Sequence, residues 1–127
     1  MGRESTEERL ASGRVLELYR AGRRDFREID IDDPEDGAPL RGARLDDADF
    51  SGCFIVADLG DASLKRARFV GANVKTCCFD GADLREADFS GAALEGASFQ
   101  GADLRGARFE GATCFGHTFA AGETPEH

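Results

Sequence analysis

The sequence predicts an all-β solenoid. Three observations predict it: an unbroken five-residue period, a small residue at a fixed place in that period, and glycine at another. The period runs through Leu59, Leu64, Phe69, Val74, Phe79, Leu84, Phe89, Leu94, Phe99, Leu104, Phe109, Cys114 and Phe119, thirteen centres in one frame. Two residues before almost every centre stands an alanine. Five matches neither the helical 3.6 nor the strand 2.0, and it is not a heptad. Glycine recurs at 71, 81, 91, 96, 101, 106, 111 and 116. Each would cost a helix about 1 kcal/mol relative to alanine, so a turn every five residues fits and a long helix does not. Internal repetition of this kind decides the architecture before any local propensity is consulted.

The motif, Ala-(Asp/Asn)-Leu-X-X with Leu or Phe at its centre, resembles that of the pentapeptide-repeat proteins. The resemblance covers residues 38–119 and extends to the stretch from Phe26 to Ile31. It implies a right-handed quadrilateral parallel β-helix with four pentapeptides per coil. The chain supports four sides on its own terms, because a period of twenty sorts the centres into columns of like residues. Phe69, Phe89 and Phe109 form one column, and Leu64, Leu84 and Leu104 the next. Phe79, Phe99 and Phe119 form a third, and Val74, Leu94 and Cys114 a fourth. Seventeen centres from Leu40 to Phe119 make a little over four coils. At ~4.8 Å per strand that is about 20 Å of solenoid.

Within this plan the chain divides into an N-terminal part, 1–37, a β-helix, 38–119, and a flexible tail, 120–127. Ser5, Thr6, Glu7 and Glu8 form a capping-box pattern. Ala11, Val15, Leu18 and Tyr19 follow on one face, and Gly22 is a stop, which predicts a short α-helix over about 6–21 as a cap. Asp25-Phe26 and Asp30-Ile31 read as outlying repeats, and Asp32 to Gly37 as an acidic surface loop. Upstream, Leu40, Leu45 and Phe50 keep the step of five. Taking Phe54 as the next centre puts a one-residue deletion between Phe50 and Phe54, at a tightened corner. The alternative turns Ile55 inward and Phe54 outward. After Phe119 no helix follows. The last coil then either exposes an open edge, suited to an end-to-end homodimer, or is covered by the tail folding back.

The composition limits function. A chain of 127 residues forms one domain. It has no secretory signal and no apolar run long enough to span a membrane, and its four cysteines do not space as a disulfide framework, which together point to the cytoplasm. Cys77 takes an inward alanine position and Cys114 an inward leucine position. His117 falls on an inward small-residue position, and its only metal reading is a Cys114-X-X-His117 pair, two ligands where zinc takes four. No nucleophile, general base or cofactor motif has the spacing its chemistry needs, so the expectation is no enzyme, no cofactor and no metal.

The net charge is −9, but only −3 of it lies in 38–119. There the charges alternate down the columns, as in Asp49, Arg68, Asp88 and Arg108, or Asp47, Arg66 and Glu86, which predicts ladders of ion pairs. Lys65, Arg85 and Arg105 make a weak basic stripe. The function that follows is a non-catalytic scaffold or protein-interaction module that contacts neither nucleic acid nor membrane directly and has no identified small-molecule substrate. The resemblance supplies the competitor, a DNA mimic that binds DNA gyrase or another type II topoisomerase, as quinolone-resistance members of the family do. Departures from a polar exterior mark the candidate interface: Ile55, Val56, Val70 and Phe115, with His117 and Phe119 at the open end.

Overall fold

A computed structural model describes residues 8–33 and 39–127. Its regular elements are short. β1 (Glu8–Ala11) is followed by α1 (Ser12–Arg20), β2 (Ile29–Asp32), β3 (Phe54–Val56), β4 (Thr113–Cys114) and β5 (His117–Thr118). β1, β2 and β3 form a parallel sheet in that order, and β4 and β5 an antiparallel hairpin. Between them the chain is a β-helix written in single bridges. Ser63, Asp83 and Asp103 pair in parallel down one column, and Arg68, Asp88 and Arg108 down the next. Asn73, Ala93 and Thr113 make a third, and Asp58, Cys78 and Ser98 a fourth.

The hydrogen bonds show why five residues make one side. The Phe69 amide donates to the Asp88 carbonyl of the coil ahead at 2.7 Å, and the Arg68 amide donates to the Ala48 carbonyl of the coil behind at 2.9 Å. The Ala72 amide then donates to the Phe69 carbonyl at 3.0 Å and closes a turn. Gly71, third in that turn, has φ +68°, a value L-residues reach only with strain. Thr76, φ 62°, holds the same place on a neighbouring side with a β-branched side chain, an outlier for its type.

The core is the stack of centres. Phe26, Phe50, Phe69, Phe89 and Phe109 form one column, with ring centroids 5.4, 5.3, 4.6 and 5.0 Å apart in sequence. Phe79 and Phe99 stack at 5.1 Å in another. Rings from the two columns meet edge to face, as Phe79 does Phe89 at 5.4 Å and 88°. Strand spacing sets the parallel offset within a column, and the change of direction at a corner sets the perpendicular contact, the two arrangements that aromatic quadrupoles favour. Each buried ring contributes about 1.5–3 kcal/mol. Cys53 and Cys77 fill small inward positions, and their Sγ atoms donate to the Phe26 carbonyl at 2.8 Å and the Ile55 carbonyl at 3.1 Å.

Phe26 and Ile31 are buried, as outlying repeats require, and Ile29 takes the small-residue position beside Ile31. The helix is shorter than expected. Residues 8–11 pair with β2 instead of coiling, so α1 begins at Ser12 with Ala11 as an N-cap that makes no side-chain bond. Of the capping box, Ser5, Thr6 and Glu7 lie outside the described residues, and Glu8 is in β1. Most of the acidic loop, 34–37, also lies outside them. At the other end Gly22, φ +107°, is the stop anticipated. Its amide donates to the Tyr19 carbonyl and that of Arg23 to the Leu18 carbonyl, a Schellman ending. Val15 enters the core with Leu18 and Tyr19 against it. Asp33 ties α1 to the coil, accepting from the Ser12 hydroxyl and, at 2.9 Å, from the Asp58 amide.

Two expectations are corrected. The centre after Phe50 is Ile55, which is buried, while Phe54 is 48% exposed. Phe54 pairs with Asp30 and Ile55 with Ile31, and Cys53 stands two residues before Ile55 where alanine stands elsewhere. Bridge offsets of nineteen at Arg44, Asp49 and Phe54 become twenty at Asp58, so the missing residue lies after Phe54, where Val56 alone separates Ile55 from Ala57. The last period also fails. Cys114 and His117 pair across a two-residue turn in which Phe115 and Gly116 have φ 47° and 84°, the left-handed pair that tight hairpins need. His117 is therefore exposed, not inward, and the Phe119 ring tilts onto Phe109 at 6.1 Å instead of joining the Phe79 and Phe99 stack. Phe119 is buried beneath this fold-back, and Pro125 and Glu126 of the tail share a hollow with it and Phe99.

Phe89 touches rings above, below and beside it. We predict that Phe89→Ala lowers unfolding free energy by about 3–5 kcal/mol, against less than about 0.5 for Phe54→Ser, in urea denaturation. Equal losses would refute the inward and outward assignment.

Candidate interaction surface

The outer face of each side is built from the residues flanking a centre, and most of them are charged. Arg68 lies 3.8 Å from Asp49 and 3.9 Å from Asp88, so it bridges three coils. Arg66 clasps Asp47 with Nε at 2.8 Å and Nη2 at 3.1 Å. The stripe of Lys65, Arg85 and Arg105 is held from beside it: Arg85 pairs with Asp83 at 2.7 Å, and Arg105 with Asp103 at 2.6 Å. Arg85 also reaches Asp103 at 3.8 Å. These exposed pairs contribute little individually, about 0–1 kcal/mol, but they spend the carboxylates on neighbouring guanidiniums. The hydrogen bonds from Arg105 hold the Asp103 carboxyl at a pKa of about 2, and those from Arg27 do the same for Asp25.

Three large apolar side chains break this pattern: Phe54, Val56 and Phe115, at 48%, 45% and 78% exposure. They share one side of the coil. The bridges run from Phe54 through Asn73 and Ala93 to Thr113, two residues before Phe115. Three parallel steps of ~4.8 Å separate the ends of that column, about 14 Å. Phe115 sits at the tip of the β4–β5 hairpin, its amide donating to Glu95 Oε2 at 3.2 Å. The other oxygen, Glu95 Oε1, is buried without a hydrogen-bond partner among the described residues.

Of the residues singled out from sequence, Val56 and Phe115 lie on this side. Val70 is half-buried at the adjoining corner, its amide donating to Ser51 Oγ at 3.2 Å. Ile55 and Phe119 belong to the core and leave the candidate surface. His117 is exposed, but its Nε2 lies 2.6 Å from Glu123 Oε2. Phe54 was missed because either of two adjacent apolar residues satisfied the period. Burial pushes the Cys53 and Cys77 thiols up to about 11, so both are protonated near neutral pH. Among the described residues no three His, Cys, Asp or Glu side chains gather closely enough to hold a metal ion, and no helix is long and apolar enough to cross a membrane.

A family model described as Pentapeptide repeats matches residues 77–113 with eight copies. A solved pentapeptide repeat protein from Nostoc Pcc 7120 is similar at 31% identity over 83% of this chain and 81% of its own, with a TM-score of 0.46. The chain belongs to the pentapeptide-repeat family. A family member from the Arabidopsis thaliana thylakoid lumen shares 33% identity over 57% of this chain and 66% of its own, with a TM-score of 0.37. QnrB1, a plasmid-mediated fluoroquinolone resistance protein, shares 19% identity over 69% of this chain and 61% of its own, with a TM-score of 0.35. No protein of curated function matches in sequence.

The pentapeptide repeat accounts for Asp83 and Asp103 as residues placed just before a centre, with their arginine partners two positions on. The depressed pKa of Asp103 makes a testable case. Its folded value lies below the ordinary 3.8, so the pairing adds stability above pH 3.8 and loses it as pH falls toward 2. We predict an NMR titration midpoint for Asp103 near 2 that returns toward 3.8 in Arg105→Gln. An unchanged midpoint would show that the pair does not form in solution.

Proposed function

We propose that this pentapeptide-repeat protein is a non-catalytic scaffold that binds another protein through the side bearing Phe54, Val56 and Phe115. In this reading the β-helix is right-handed and quadrilateral, a little over four coils long, with α1 as its N-terminal cap, and the protein works in the cytoplasm of a bacterium. The coil is the 38–119 unit, preceded by the N-terminal part, 1–37, and followed by the tail, 120–127.

The observation that favours the reading is Phe115. A bulky aromatic residue is held at positive φ and left 78% exposed, on a turn that glycine or asparagine would form with less strain. Strained, exposed positions of this sort are kept where the surroundings impose them, and functional sites are where they cluster. A non-catalytic role is supported by arginines engaging the Asp83 and Asp103 carboxylates and by the two buried thiols being protonated.

The competing role, mimicry of DNA toward a type II topoisomerase, draws on the net charge of −9. Duplex DNA presents one sign of charge, about one per 1.7 Å of axis. Here Asp47, Asp49, Asp83, Asp88 and Asp103 each lie within 4 Å of an arginine, which favours the protein-binding role. An end-to-end homodimer would have to meet through the hairpin tip, since Phe119 is covered.

Proteins captured from the native host by the wild type and by the double variant Phe54→Ser, Phe115→Ser decide between these readings. One or more partners lost in the variant, with unchanged circular dichroism, supports the proposal. Identical captures refute it. Inhibition of gyrase supercoiling by both proteins alike would establish the mimic in its place.

A further inference from the structure

A hollow of about 530 Å³ lies between the C-terminal half of α1 and the turn that opens the first full coil. Among the described residues its charged lining is of one sign: Arg20, Arg24, Arg41 and Arg44, with Leu16, Tyr19, Pro39 and Ala43 as apolar walls. Four guanidiniums lining one hollow in a protein of net charge −9 run against the composition. Two of them are engaged. Arg41 pairs with Asp58 at 3.3 Å and Asp61 at 3.2 Å. Arg24 lies over the Tyr19 ring, 3.6 Å from its centroid, and donates through Nη1 to the Tyr19 carbonyl at 3.0 Å. Arg20 and Arg44 make no ion pair or side-chain hydrogen bond with the described residues.

We propose that this hollow binds the phosphate group of a small organic molecule. The argument has three parts. Guanidinium forks match oxyanions bidentately, and their charge is fixed at any physiological pH. The volume lies within the range of small-ligand sites, about 300–1,000 Å³, and half-apolar walls suit the organic part of an ester. With Arg41 offset by Asp58 and Asp61, the charges of Arg20, Arg24 and Arg44 still exceed what one carboxylate neutralises, which favours phosphate. The size of the ligand follows from the field around the site. Charges beyond about 8–10 Å are screened at physiological salt, so a small anion meets the four guanidiniums together with Asp58 and Asp61, which offset Arg41, and is spared most of the acidic surface. A nucleic acid or an anionic bilayer would also lie against the acidic remainder of the surface. Among the described residues, Asp58 and Asp61 hold Arg41, and Asp47, within reach of the Arg24 field, is clasped by Arg66.

The site is independent of the apolar side proposed for protein binding, and its test is separate. Isothermal titration of the full chain with inorganic pyrophosphate, at low ionic strength, reads it directly. We expect a single site whose affinity falls as salt rises. The double variant Arg20→Gln, Arg44→Gln should weaken it at least tenfold. Arg105→Gln removes a charge toward the other end of the coil and should change it less than twofold. No binding by the wild type overturns the proposal, as does equal affinity in the double variant or an equal loss in Arg105→Gln. Citrate bound as tightly as pyrophosphate overturns the assignment to phosphate.

Discussion

The structure depends on stacking like rings at strand spacing. Parallel strands lie ~4.8 Å apart, and offset aromatic rings prefer nearly the same separation. Phe26, Phe50, Phe69, Phe89 and Phe109 satisfy both distances at once, with centroids between 4.6 and 5.4 Å apart. The sides of the coil are too short to hold register by backbone bonds alone, since each contributes only a few amides to its neighbours. A column of identical rings supplies the missing constraint. A slip by one position would bring a polar flanking residue into the core, and a slip by a whole side would set phenylalanine on leucine.

This dependence explains which departures the fold accepts. Where a residue is missing after Phe54, the loss falls in the spacer at Val56, and the inward pair of Cys53 and Ile55 is intact. Where the repeat stops, the chain does not present a bare final coil. It reverses through the Phe115-Gly116 turn and lays Phe119 against Phe109, so an aromatic contact ends the column that aromatic contacts built. At the other end α1 and β1 bring Val15 and Leu10 to the first coil. Both ends thus meet a cost inherent in solenoids, whose terminal units have an apolar face and no neighbour. The exterior is left to polar residues, which explains why three exposed apolar side chains on one side stand out.

Much of this was legible in the sequence because periodicity carries it. The columns, the outlying repeats at Phe26 and Ile31, the Gly22 stop and the alternating charges at Asp49, Arg68 and Asp88 all follow from spacing. The phase at Phe54 and Ile55 did not, although a signal was present. Cys77 substitutes for alanine two residues before Phe79, and Cys53 stands two residues before Ile55 in the same relation. The hairpin was hidden because Cys114 and Phe119 keep the step of five while the chain between them reverses direction. The arginine-lined hollow was out of reach for a different reason. Its residues come from α1, from the segment after it and from the turn after Pro39, which no repeat frame relates.

Residue-resolved hydrogen exchange in the wild type and in Phe89→Leu tests the central claim most directly. The amides of Phe69, Leu64 and Val74 donate to the coil ahead, and those of Asp88, Asp83 and Ala93 donate back to the coil behind. If the ring column enforces register, loss of one ring lowers protection in the coils on both sides and on the neighbouring side of its own coil, at Phe69, Arg108 and Leu84 together. If backbone bonds suffice, the loss stays within the side that holds residue 89, and protection elsewhere is unchanged. That second result would contradict the account.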